Sequence, residues 1–145
     1  HNRKPNPEAE AELGVTYASL DDLLTQSDYV ALNVPLTDET RNMIGRDQLH
    51  KMKKTSFLVN LARGGVVNHD ALLEALQNDW IAGAALDVTE PEPLPRDHPL
   101  LKLKNVIIAP HLGSATHQTR LGMAQRTVDN LIAGLEGEPL LSRIA

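Results

Sequence analysis

Ser56-Phe57-Leu58-Val59-Asn60-Leu61-Ala62-Arg63-Gly64-Gly65-Val66-Val67 is the stretch on which the fold turns. Five apolar residues surround one Asn, and the run stops at Arg63 before two glycines. A continuous apolar run this short, closed by a glycine turn, predicts a strand of a parallel sheet covered on both faces. The segment that follows, Asn68-His69-Asp70-Ala71-Leu72-Leu73-Glu74-Ala75-Leu76, starts polar and then takes helical apolar spacing. A buried strand therefore feeds a tight turn and a helix, with a single Arg at the strand's carboxyl end. In open α/β sheets that edge is where ligands bind. A guanidinium there can grip a carboxylate with two hydrogen bonds.

The same alternation extends in both directions. Glu8 to Leu13 reads as a short helix ended by Gly14, Val15-Thr16-Tyr17 as a short strand, and Ser19 as the cap of a helix with Asp22 three residues on. Tyr29 to Val34 is a strand cut off by Pro35, Arg46 to Met52 a helix, Ile81 to Val88 a strand, and Asn105 to Ala109 another. Glu90 to Pro95 cannot be regular, because three prolines remove donors and fix φ. From Ala115 to Gly137 the apolar positions Leu121, Ala124, Val128, Leu131, Ile132 and Leu135 trace one long helix. Strands alternating with helices predict an α/β fold with a doubly wound parallel sheet. The one boundary falls near Gly113, dividing residues 1–113 from residues 114–145.

With 145 residues, 41% hydrophobic and 23% charged, the chain has the composition of a globular domain with a real core, built from aliphatic side chains since aromatics are 3%. A net charge of −5 without a basic cluster argues against a nucleic-acid partner. The absence of cysteine excludes disulfides and thiolate metal sites. No apolar run approaches the ~18 residues of a membrane span, so no membrane partner is expected. No histidine pair has ligand spacing backed by Cys or by a HExxH-type helix, so no metal is expected, and His1, His50, His69, His98 and His117 are read as surface residues. The chain opens on His1-Asn2-Arg3-Lys4-Pro5 without an initiating Met and is expected to be a piece of a longer protein.

Four polar residues stand just past apolar strands: Arg63, Asp87, Glu92 and His111. A carboxylate beside an imidazole favours the protonated ring and makes it a general acid, and an arginine near that pair can hold an anionic substrate. Taken singly, each also has a bland reading, as a turn cap, a solvated loop acid or a loop histidine.

Their setting resembles a known family. Val34-Pro35-Leu36-Thr37 with Thr40, Met52-Lys53, Asn60 to Val67, Asp70-Ala71-Leu72, Gly83 to Val88, Glu92-Pro93 and Pro110 to Thr116 resemble, in order and spacing, the C-terminal two-fifths of a D-isomer-specific 2-hydroxyacid dehydrogenase. Within it, Asp87-Val88-Thr89 through Pro95, His98 to Leu101 and His117 are similar to glyoxylate/hydroxypyruvate reductases. The resemblance implies a Rossmann-like NAD(P)-binding domain incomplete at its N-terminus, with a long interdomain helix returning to a substrate domain that is mostly absent. It implies reduction of glyoxylate or hydroxypyruvate by hydride transfer, in a cytoplasmic enzyme that is a homodimer when whole. Arg63 would bind the substrate's carboxylate and keto oxygen, His111 would protonate the developing alkoxide, and Glu92 would orient His111. Asp87 would hydrogen-bond the nicotinamide carboxamide, and Val34, Pro35 and Thr40 would line the adenosine side. Leu61, Ala62 and Gly113 would join Arg63 and His111 against the cofactor. Ser114 would sit beside the acid, or serve only as a helix cap. Arg3 and Lys4, with no carboxylate before Glu8, would favour the 2′-phosphate of NADP(H), NAD(H) remaining possible.

Two parts expected of such an enzyme, a GxGxxG turn and the N-terminal substrate segment, are absent, so the 145-residue chain by itself is expected to be inactive. Two other readings stay open: a nucleotide-sensing binding protein comparable to the C-terminal-binding-protein corepressors, and an inactive truncated product. A formate dehydrogenase is expected to carry Gln where this chain has Pro110.

Overall fold

A computed structural model describes residues 1–143. These form two compact units, His1–Pro110 and the segment that starts at His111.

In the first unit the strands β1 (Tyr29–Leu32), β2 (Phe57–Asn60), β3 (Gly83–Leu86) and β4 (Val106–Ile108) lie side by side in chain order, all parallel. The register pairs Tyr29 with Phe57 and Phe57 with Gly83, and Leu32 with Asn60 and Asn60 with Leu86, so the carboxyl ends of three strands align. The helices are α1 (Pro7–Leu13), α2 (Leu20–Gln26), α3 (Arg46–Lys51) and α4 (His69–Gln77). Ser19 caps α2 through the Asp22 N–H, and Asn68 caps α4 through the Ala71 N–H. Leu24, Leu49, Leu72, Ala75 and Leu76 from α2, α3 and α4 meet Val30, Leu32, Leu58, Ala84 and Leu86 of the sheet in one aliphatic core. Fully burying each of those leucines contributes about 2 kcal/mol.

The other face of the sheet carries the alternate residues, and there Tyr29 and Ile107 are each 72% exposed, with the Tyr29 and Phe57 rings stacked 5.7 Å apart. Cover on both faces, which the apolar run of β2 predicts, is thus met on one face among the described residues; Phe57 and Val59 point to the open one. The strand expected at Val15–Tyr17 does not form. Its amides turn back to α1 instead: Val15 N–H donates to the Glu10 carbonyl at 3.1 Å and Tyr17 N–H to the Glu10 carboxylate at 3.0 Å.

The second unit is dominated by α5 (His117–Glu136), 20 residues and about 30 Å long. Thr116 caps it by accepting the Thr119 N–H, so the capping role open to Ser114 falls to Thr116, and Gly137 closes it in the left-handed conformation (φ 75°). No residue of α5 is buried. The contact division falls after Pro110, slightly ahead of the boundary expected after Gly113.

Candidate functional site

The turn after β2 is built by its last residue. Asn60 is completely buried; its Oδ1 accepts the Ala62 N–H at 3.0 Å and its Nδ2 donates to the Arg63 carbonyl at 3.0 Å. This Asx turn fixes the direction in which Arg63 leaves the sheet. Arg63 itself is extended (φ −146°, ψ 146°) and exposed, with Nη1 donating to the Ala62 carbonyl at 2.7 Å. A cavity of about 500 Å³ opens there, lined by Asn33, Val34, Pro35, Leu36, Leu61, Ala62 and Arg63. It sits where the chain leaves β1 and β2 at their carboxyl ends, the position ligands favour in a parallel sheet.

A second cavity, about 340 Å³, shares Val34 and Pro35 with the first and runs on to His1, Asn2, Arg3, Thr37, Glu39, Thr40 and Met43. Thr40 shapes it by donating its hydroxyl to the Pro35 carbonyl at 2.6 Å and accepting the Thr37 N–H at 2.8 Å. The terminal segment is held by the Tyr17 hydroxyl, which donates to the Asn2 carbonyl at 3.2 Å. Val34 and Pro35 line both cavities, which therefore lie next to each other at this edge of the sheet. Arg3 lines it and Lys4 does not; Glu39 is a wall residue that inspection of the sequence missed.

Asp87 follows β3 and is buried, its N–H donating to the Asn60 carbonyl at 2.9 Å. Glu92 is exposed and accepts the Thr89 N–H at 3.4 Å. Neither lines the two cavities. His111, Gly113 and Ser114 belong to the second unit, where His111 takes a left-handed backbone (φ 56°). Among the described residues no group of three His, Cys, Asp or Glu side chains can hold a metal. No described helix is long and apolar enough to cross a membrane.

His69, expected at the surface, is instead only 9% exposed. Its Nδ1 lies 3.1 Å from the Val67 carbonyl, which can only accept, so Nδ1 carries the proton; Nε2 is buried without a hydrogen-bond partner among the described residues. Burial pushes its pKa below the ordinary 6.5, as does the charge of His98, against the Val67 hydrogen bond and the carboxylates of Glu90 and Asp70. Since the unfolded chain binds that proton first, this contribution to stability is complete above about pH 6.5 and is lost as pH falls toward the folded-state value. We expect His69→Asn, which can still donate to the Val67 carbonyl, to lose less stability than the parent between pH 7 and pH 5 in urea unfolding. Parallel losses in the two proteins would show that His69 takes no part.

Residues 1–113 match the family profile for the D-isomer specific 2-hydroxyacid dehydrogenase, NAD binding domain. A glyoxylate reductase of Korarchaeum cryptofilum is 57% identical over 129 residues, covering 89% of this chain and 39% of that protein. A glyoxylate/hydroxypyruvate reductase B of Serratia proteamaculans is 56% identical over 135 residues, covering 93% and 42%. The crystal structure of the NADPH-dependent glyoxylate/hydroxypyruvate reductase of Sinorhizobium meliloti, in complex with NADP and malonate, superposes over 100% of this chain and 44% of its own. The TM-score is 0.91 and the identity 37%. The chain thus spans about two-fifths of the length of the curated relatives it matches. With a four-stranded parallel Rossmann-like sheet and a matching family profile over residues 1–113, the chain belongs to the D-isomer-specific 2-hydroxyacid dehydrogenases.

Proposed function

We propose that the whole protein carrying this chain reduces small 2-keto acids, glyoxylate to glycolate and hydroxypyruvate to D-glycerate, with NADP(H) preferred over NAD(H). The observation that carries this reading is Arg63, presented by the Asn60 turn at the rim of a 500 Å³ cavity on the carboxyl edge of the sheet. The similar glyoxylate and hydroxypyruvate reductases support the substrate class. The nicotinamide cofactor, when bound, supplies the hydride. Arg63 holds the substrate's carboxylate and keto oxygen, His111 gives that oxygen its proton, and Glu92 orients His111 and favours its protonated form. Asp87 hydrogen-bonds the carboxamide of the nicotinamide, and Ser114 stands beside the acid. Val34, Pro35, Thr40, Leu61, Ala62 and Gly113 line the cofactor cleft. The keto carbon gains a hydride and its oxygen a proton, which balances the reduction to the alcohol. The whole protein acts as a cytoplasmic homodimer, to which the exposed Leu121, Leu131 and Leu135 of α5 offer an apolar face. Consumption of NADPH by the whole protein in the presence of glyoxylate or hydroxypyruvate tests the reading; tight cofactor binding without turnover of either acid would replace it with a nucleotide sensor.

Cofactor choice rests on Arg3, which lines the second cavity together with Glu39. A charge-assisted hydrogen bond from Arg3 to a 2′-phosphate predicts that Arg3→Ala weakens NADPH binding about ten- to hundredfold and leaves NADH binding nearly unchanged. Equal losses for the two cofactors in fluorescence titration would show that Arg3 does not read the phosphate.

A further inference from the structure

The loop that carries Glu92 is seated on the turn that carries Arg63. A Cβ on Gly64 would stand 2.1 Å from the carbonyl carbon and oxygen of Thr89 and 2.6 Å from the Glu90 nitrogen, so two backbones touch where no side chain fits. One residue on, a Cβ on Gly65 would meet Glu90 Oε2 at 2.3 Å and Arg41 Nη1 at 3.0 Å. Those two side chains form an ion pair laid over Gly65, Arg41 Nη1 donating to Glu90 Oε1 at 2.9 Å. Arg41 is itself tied to the turn it covers, because the next residue, Asn42, donates its N–H to the Gly65 carbonyl at 2.8 Å, and Ile44 donates to Val66 at 3.1 Å. On the other side, Glu90 stands within a loop that closes on itself: Thr89 Oγ1 donates to the Pro91 carbonyl at 2.9 Å, and Thr89 N–H to Glu92 at 3.4 Å. From Arg41 to the Glu92 carboxylate there is thus a continuous path of one ion pair and one short closed loop.

We propose that Arg41 and Glu90 are positioning residues that hold Glu92 in register with Arg63, resting on the roles assigned to Glu92 and Arg63 above. Neither touches substrate or cofactor in this reading. Their side chains are 49% and 48% exposed, and an ion pair so wet adds little to stability. Placement is another matter, since a shift of about 1 Å in a catalytic group can cost on the order of a hundredfold in rate. A pair of little value to the fold can therefore be of large value to the reaction.

The experiment compares Arg41→Ala, Glu90→Ala, the double variant, Arg41→Lys and Glu92→Gln in the whole protein. Arg41→Ala is expected to lower turnover about tenfold or more with KM and melting temperature close to the parent's. The pH above which turnover falls should move down, in the direction Glu92→Gln moves it. The double variant should be no slower than either single one, and Arg41→Lys should recover most of the rate. If Glu92→Gln shifts the profile and Arg41→Ala does not, the positioning role is overturned and the role of Glu92 stands. If Glu92→Gln leaves the profile unchanged, the reading of Glu92 fails and takes this one with it. A turnover loss matched by a fall in melting temperature, or confined to KM, also overturns the proposal.

Discussion

His111→Gln in the whole protein is expected to lower the turnover number for the proposed keto-acid reduction by ~10²–10⁴-fold and to leave cofactor affinity close to the parent's. Glutamine keeps a hydrogen-bonding side chain of moderate size and removes the proton that the ring can lose. Backbone geometry adds a control. His111 sits at φ 56°, in the left-handed region, which non-glycine residues enter rarely and Asn more readily than most. A residue held there is kept by its surroundings against its own preference, a condition that recurs at functional sites. His111→Asn therefore suits the backbone and should fold as well as the parent, yet be slowed as much as His111→Gln. Turnover near the parent's in either variant would remove His111 from the reaction.

Much of this arrangement was readable in the chain itself, for identifiable reasons. The apolar run ending at Asn60, the glycines after Arg63 and the polar start at Asn68 are local signals, and they mark the end of β2, a tight turn and the cap of α4. What residue type alone does not give is the partner that each group takes in the folded chain. Val15–Tyr17 has strand-forming residues, but Glu10 claims two of its amides. Glu39 stands on a polar connection whose path is set by Thr40 and Pro35, so its place in the cavity that Arg3 also lines does not show in the sequence. The burial of His69 is legible in the spacing of α4. The histidine shares with Leu72 and Leu76 the i, i+3, i+7 spacing of the buried face of α4, and that spacing outweighs the polar character of one imidazole. An Asn that ends a buried strand, with a turn following, is a candidate Asx turn, and Asn60 is one.

Gly64 leads to the second large effect. Gly64→Ala is expected to destabilise the chain by about 3 kcal/mol, the upper end of the range for overpacking. The added methyl would lie 2.1 Å from the carbonyl carbon and oxygen of Thr89, and these are backbone atoms that cannot swing aside. Either the turn after β2 or the loop at Thr89 must move. Movement of the turn strains the two hydrogen bonds by which Asn60 holds residues 62 and 63, and movement of the loop draws Glu90 away from Arg41. Gly65→Ala supplies the comparison: its methyl meets the far ends of two flexible, half-exposed side chains, so the expected loss is nearer 1 kcal/mol. Gly122→Ala gives the opposite sign. That glycine lies inside α5 with open space around it, and alanine there should stabilise the helix by about 1 kcal/mol. Urea unfolding of the three variants should rank them Gly122→Ala above the parent, Gly65→Ala below it and Gly64→Ala lowest. Parent-like stability in Gly64→Ala would mean that the loop at Thr89 is not seated on the Arg63 turn, and the route by which Arg41 and Glu90 reach Glu92 would fall with it.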